Sequence, residues 1–118
     1  MANLKRNMLE LVKNPEAIAK GEEPEIEKVW TPAFISLRVA RNAIQFINDI
    51  ELEVSESDKF DKLVDFVANE IYAGKITKDD IYNRMHAPGG KEVLWDQVVF
   101  VAQGQQSDET KNFLAKKG

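Results

Sequence analysis

The stretch SDKFDKLVDFVANEIYAGKITKDDIYNRM, from Ser57 to Met85, predicts two helices joined by a tight turn. Its apolar residues recur at three- and four-residue steps, which places them on one side of a helix. They are Phe60, Leu63, Val64, Val67 and Ile71, with Phe66 and Tyr72 widening the stripe. Ser57 is the expected N-cap, and Gly74 is expected to end the helix in the left-handed conformation. Thr77 and Asp80 have the spacing of a capping box, so a short second helix is expected to follow.

The segment from Trp30 to Gly104 resembles the tail assembly chaperones of long-tailed bacteriophages of Gram-positive hosts. The resemblance rests on FVANEIYAGKITKDDIYNRM, on the apolar helix expected behind it, and on TPAFISLRVARNAIQFINDIE upstream. It implies a protein that binds the tape measure protein, keeps it soluble, helps recruit tail tube subunits and is absent from the mature virion. The resemblance also implies that a longer frameshifted form contacts the tail tube protein.

Length and composition place the chain among small globular proteins. Its 118 residues suffice for one domain, and 43% hydrophobic with 31% charged residues indicate a soluble chain. No apolar run approaches the length of a membrane span, and the N-terminus lacks the apolar core of a signal peptide. The expected location is therefore the cytoplasm of the bacterial host, without membrane contact. A formal charge of −4 argues against nucleic-acid binding.

The predicted fold is all-α, a small bundle of about four to five helices with a flexible N-terminal arm and a flexible C-terminal tail. Residues 1–29 are expected to form the arm and an acidic linker, 30–104 the helical chaperone domain and 105–118 the tail. The spacing of Leu4, Met8, Leu11 and Val12 fits a short helix docked on the core, and a mobile arm is the alternative. Pro15 bars that helix from continuing.

The segment from Leu37 to Ile50 predicts a helix, capped by Ser36, that is apolar on most sides. Two interpretations stay open for so apolar a helix. It is the central helix of a monomeric bundle, or part of its surface binds a partner or a second copy of the chain. A further helix is expected from Lys91 to Gln103, although its β-branched residues Val98 and Val99 also fit a strand.

Acidic residues are concentrated between Asp49 and Glu70, where eight carboxylates and two lysines give a local net charge of −6. A solvated helix face is one explanation. The other is a docking surface for a basic helical partner, whose encounter the field would accelerate. Asp61 and Asp65 lie one turn apart on this face.

Enzymatic function is not expected, because the sequence lacks the side-chain sets that catalysis requires. His86 is the only histidine, it lies beside a Pro-Gly-Gly turn, and the chain has no cysteine. No nucleotide-binding or metalloprotease motif is present. We therefore expect no catalytic residue, no cofactor and no metal site.

The expected function is that of a non-enzymatic tail assembly chaperone. The alternative is a small helical regulatory or adaptor module that binds a cellular protein or, with less support, DNA through the helix from Thr77 to Met85. The candidate partner-binding residues are Phe34, Leu37, Ile44, Ile47, Phe60, Asp61, Asp65, Val67, Trp95, Val99, Phe113 and Leu114.

Overall fold

The computed structural model describes residues 4–106 and 108–117. Within these ranges the chain forms two strands, six α-helices and one π-helical segment. In chain order they are β1 (Met8–Val12), α1 (Pro15–Ile18), β2 (Ile26–Trp30), α2 (Leu37–Ile50), α3 (Glu56–Asp65), the π segment (Phe66–Ile71), α4 (Lys78–Arg84), α5 (Gly90–Gln103) and α6 (Asp108–Lys117). The all-α prediction is therefore wrong, because the fold is mixed α/β.

The N-terminal residues form a strand of a two-stranded antiparallel sheet, where a flexible arm was predicted. Strand β1 pairs with β2 in a register that sets Met8 opposite Trp30 and Val12 opposite Ile26. Both faces of β1 are covered, since Met8 and Leu9 point to opposite faces and are both buried. A strand buried on both faces lacks the alternation of apolar and polar residues that identifies strands, which is why its spacing also matched a helix.

The C-terminal residues, for which a flexible tail was predicted, form helix α6 over Asp108–Lys117. Helix α6 packs against β1, and the Phe113 ring lies 5.7 Å from the Trp30 ring between centroids. Thr110 is buried at this contact, where its hydroxyl oxygen accepts a 3.1 Å hydrogen bond from the Met8 amide. The Thr110 hydroxyl also donates to Asn7 Oδ1 at 2.6 Å. The mostly polar helix α6 thus meets the sheet through Thr110 and Phe113.

The stretch from Ser57 to Met85 folds largely as predicted, except that the N-cap of its first helix is a different serine. Thr77 and Asp80 form the predicted capping box, with reciprocal bonds of 3.1 and 3.0 Å. Gly74 ends the preceding segment with a φ of 80°, as predicted. The N-cap is Ser55, whose hydroxyl accepts from the Asp58 amide, so the expected cap at Ser57 is wrong by two residues.

The core is formed by apolar side chains of both strands, α2, α3, the π segment, α4 and α5. Helix α2 has the predicted extent, and α5 begins one residue earlier than predicted, at Gly90, and is helical rather than extended. The π segment was not predicted. The amide of Tyr72, the residue that follows the π segment, donates a hydrogen bond to the Val67 carbonyl at 3.0 Å. Most side chains of the π segment are buried.

Replacing the two serines singly tests the position of the α3 cap. We expect Ser55→Ala to lower the free energy of unfolding by about 1 kcal/mol, because it removes the acceptor for the Asp58 amide. Ser57→Ala is the matched control and is expected to change it by less than about 0.5 kcal/mol. Urea denaturation followed by circular dichroism measures both. A larger loss for Ser57→Ala contradicts the assignment.

Candidate functional site

Helix α2 carries more apolar surface than the core covers. At about 100° per residue, its apolar side chains occupy roughly half of its circumference. The inner part packs into the core, where Phe46 stacks on Phe66 at 4.8 Å and lies 6.5 Å from Trp95. The outer part, here called the α2 shoulder, consists of Leu37, Ala40, Ile44 and Ile47.

The shoulder is open to solvent at two of its largest side chains. Leu37 is 85% exposed and Ile44 is 51% exposed, while Ala40 and Ile47 are half-buried. Leaving a leucine in water forgoes about 1.5–3 kcal/mol relative to burying it. Leu37 and Ile44 are therefore large apolar side chains of α2 that the described residues leave uncovered.

A groove adjoins the shoulder at the N-terminal end of α2. It runs between the segment preceding α2 and the C-terminal end of α5, and encloses a cavity of about 420 Å³. This α2 groove is lined mainly by Leu4, Phe34, Leu37, Ala40, Phe100 and Val101. The Phe34 ring is 70% exposed. Lys5 Nζ donates to the Gly104 carbonyl at 2.9 Å, which ties the N-terminal segment to the end of α5 beside the groove.

The chemistry of the groove is that of apolar contact. Its lining holds one titratable side chain, Lys5, and no carboxylate, imidazole or thiol. An apolar cavity of this size accommodates one or two large apolar side chains of a partner. The shoulder continues the groove along α2, so an amphipathic helix lying there would meet several apolar contacts in a row.

The predicted acidic docking face is engaged in internal contacts. Asp61 accepts a hydrogen bond from the Tyr82 hydroxyl of α4. Partial burial and this carboxylate together raise the pKa of Tyr82 to about 12. Asp65 lies 3.8 Å from Lys78 Nζ and accepts from Asn69 Nδ2 at 2.8 Å. These carboxylates hold α3 against α4, and their proposed role in docking stays a prediction.

The twelve candidate residues differ in burial. Phe34, Leu37, Ile44, Phe60, Asp61, Asp65 and Leu114 are exposed; Ile47, Trp95, Val99 and Phe113 are half-buried; and Val67 is fully buried. The structure brings Phe34 and Leu37 together in one groove. Phe60 lies elsewhere, stacked on Tyr82 at 6.2 Å. Leu4, Ala40 and Phe100 were not among the candidates, because only the tertiary fold brings them to the groove.

Two further findings concern residues 4–106 and 108–117 alone. None of the helices there is both long enough and apolar enough to cross a membrane. The same residues hold no group of three or more His, Asp or Glu side chains placed to bind a metal ion.

Stability measurements separate the exposed candidates from the buried one. Leu37→Ser is expected to change the free energy of unfolding by less than about 0.5 kcal/mol, because the side chain has little contact to lose. Val67→Ala is expected to lower it by about 1–3 kcal/mol, because Val67 is fully buried. Urea titration of both variants measures the difference. Equal losses would mean that Leu37 belongs to the core.

Comparison with known proteins identifies the family. A family model described as phage tail chaperone protein matches residues 3–118. The curated proteins and the solved structures gave no match. The family match spans nearly the whole chain, including β1 and α6, which lie outside the segment that carried the resemblance in the sequence. The chain therefore belongs to the phage tail chaperone protein family.

Proposed function

We propose that the protein binds the tape measure protein of a long-tailed phage of a Gram-positive host and keeps it soluble until the tail is built. Family membership supports the general role in tail assembly and favours a non-enzymatic function. The observation that carries the finer proposal is the α2 groove with the adjoining α2 shoulder. These are surfaces for apolar contact in a protein whose family is named for chaperoning.

The partner segment that fits this surface is an amphipathic helix of the tape measure protein. Helix α2 has 14 residues and is about 21 Å long, so a helix lying along it presents apolar residues over roughly four turns. Phe34 and Leu37 would contact the first of these residues in the groove, and Ile44 would contact a later one. The recognition is by shape and apolar contact, so it tolerates many different helical sequences.

The strength of such a contact suits a chaperone that must leave its client. Burying a few side chains such as Leu37 yields about 1.5–3 kcal/mol each before the cost of association is subtracted. A single copy would therefore bind weakly and reversibly. Many copies along one long client would cover its apolar stretches and still be displaced during assembly.

The remaining parts of the proposal rest on the resemblance. The protein acts in the host cytoplasm, is absent from the mature virion, and helps recruit tail tube subunits through a longer frameshifted form. The alternative of DNA binding through α4 has no specific support. Its basic side chains are engaged, since Lys78 pairs with Asp65, and Arg84 pairs with Glu27 and Asp80.

Co-expression with the tape measure protein tests the proposal. The wild-type protein is expected to bring the tape measure protein into the soluble fraction and to copurify with it. The double variant Phe34→Ser, Leu37→Ser is expected to lower the recovered amount at least about tenfold, since it removes two apolar anchors worth about 1.4 kcal/mol or more. Both residues are exposed, so the fold is expected to survive.

Ile26→Ser is the matched control for this experiment. Ile26 is a large apolar side chain that is 45% exposed, and it lies on β2 rather than on α2. We expect the control to copurify with the tape measure protein like the wild type. Full recovery with the double variant, or a loss with Ile26→Ser alone, contradicts binding through the α2 groove.

A further inference from the structure

We propose that the client helix carries acidic side chains beside its apolar stripe, and that Arg41 and Lys5 select such a helix by charge. This inference rests on the proposed function and narrows the client from any amphipathic helix to one flanked by carboxylates. The surface concerned is the α2 shoulder together with the α2 groove.

Arg41 lies at the exposed edge of the α2 shoulder. It follows Leu37 by four residues and precedes Ile44 by three, and side chains at these spacings are neighbours on the surface of a helix. At about 100° per residue, Arg41 is turned about 40° from Leu37 and about 60° from Ile44. All three residues are exposed. A helix that covers Leu37 and Ile44 therefore passes beside the guanidinium group of Arg41.

The charge of Arg41 is not neutralised by an ion pair within residues 4–106 and 108–117. Its Nη1 donates a 3.4 Å hydrogen bond to the neutral side-chain oxygen of Asn42. Lys5, which lines the groove, likewise donates to a neutral group, the Gly104 carbonyl, at 2.9 Å. Two positive charges thus border the apolar surface and keep their attraction for an anionic partner.

The carboxylates of this region lie away from the apolar surface. Among the described residues, none of those that line the groove is acidic. Asp49 of α2 is turned about 140° from Ile44, and Glu51 follows the helix about 15 Å along its axis from Arg41. The chain as a whole has a net charge of −4. The groove therefore has a basic border in a protein that is acidic overall.

This border discriminates between amphipathic helices that present the same apolar stripe. Carboxylates beside the stripe would pair with Arg41 and Lys5, whereas ammonium groups at the same positions would be repelled. Charge pairs at an exposed rim add modestly to affinity, but they steer association and suppress wrong partners. An acidic helix is also repelled by the acidic stretch from Asp49 to Glu70, which directs it to the groove.

Two synthetic peptides of about 18 residues, long enough to cover α2 as helices, test the preference. They share one leucine stripe and differ only beside it in the central turn, where one peptide has glutamates and the other has lysines. In calorimetric titrations at low salt, the wild-type protein is expected to bind the glutamate peptide at least about fivefold more tightly. Added salt is expected to reduce the difference. Arg41→Glu is expected to invert the order of the two peptides.

Arg38→Glu is the matched control, since it makes the same change in charge on the same helix but is turned about 100° from Leu37. It is expected to keep the preference for the glutamate peptide. Phe34→Ser with Leu37→Ser is expected to weaken binding of the glutamate peptide at least about tenfold. Binding of the lysine peptide to the acidic stretch would survive in that double variant and is thereby recognised. Circular dichroism checks that every variant is folded.

The outcomes separate this inference from the proposed function. If the wild-type protein binds both peptides equally, and both are lost with Phe34→Ser and Leu37→Ser, the charge preference is overturned and the groove remains a helix-binding surface. An effect of Arg41→Glu no larger than that of Arg38→Glu overturns the preference in the same way. If neither peptide binds, or if the glutamate peptide binds the Phe34→Ser, Leu37→Ser variant as well as the wild type, both proposals fail.

Discussion

The buried Gln97 side chain of α5 connects the π segment to strand β1, and the rest of the structure depends on this connection. Its carbonyl oxygen accepts a 2.7 Å hydrogen bond from the Tyr72 hydroxyl, and its amide nitrogen donates to the Met8 carbonyl at 3.0 Å. One side chain of α5 thus connects the end of the π segment to β1. Burial raises the pKa of Tyr72, so its hydroxyl keeps the proton that it donates. Removing either partner would leave a buried polar group unsatisfied.

This connection explains how both ends of the chain enter one core. Strand β1 is held by Gln97 from α5, and β1 in turn holds α6 through the Met8 amide and Thr110. Strand β1 packs against α4 and α6, and α5 packs against α2. The outer part of α2 is left with exposed large apolar side chains at Leu37 and Ile44. The surface that we propose for client binding is thus a consequence of how the remaining elements pack.

Patterns that act locally could be predicted from the sequence, and those that depend on distant contacts could not. The capping box at Thr77 and the left-handed Gly74 follow from neighbouring residues and were correct. Strand β1 was missed because its residues are buried on both faces, and α6 because its few apolar residues need the sheet to pack against. Phe34 and Leu37 were named as site residues from their apolarity, but the groove that joins them also needs Leu4 and Phe100.

Hydrogen exchange, measured on the free protein and on its complex with a helical fragment of the tape measure protein, tests the central claim most directly. The amides of β1 are expected to exchange slowly in both samples, because the strand lies in the core. Amides from Phe34 to Asn48 are expected to become more protected in the complex. Protection confined to α3 and α4, with α2 unchanged, would contradict the account and indicate that the acidic face binds the client.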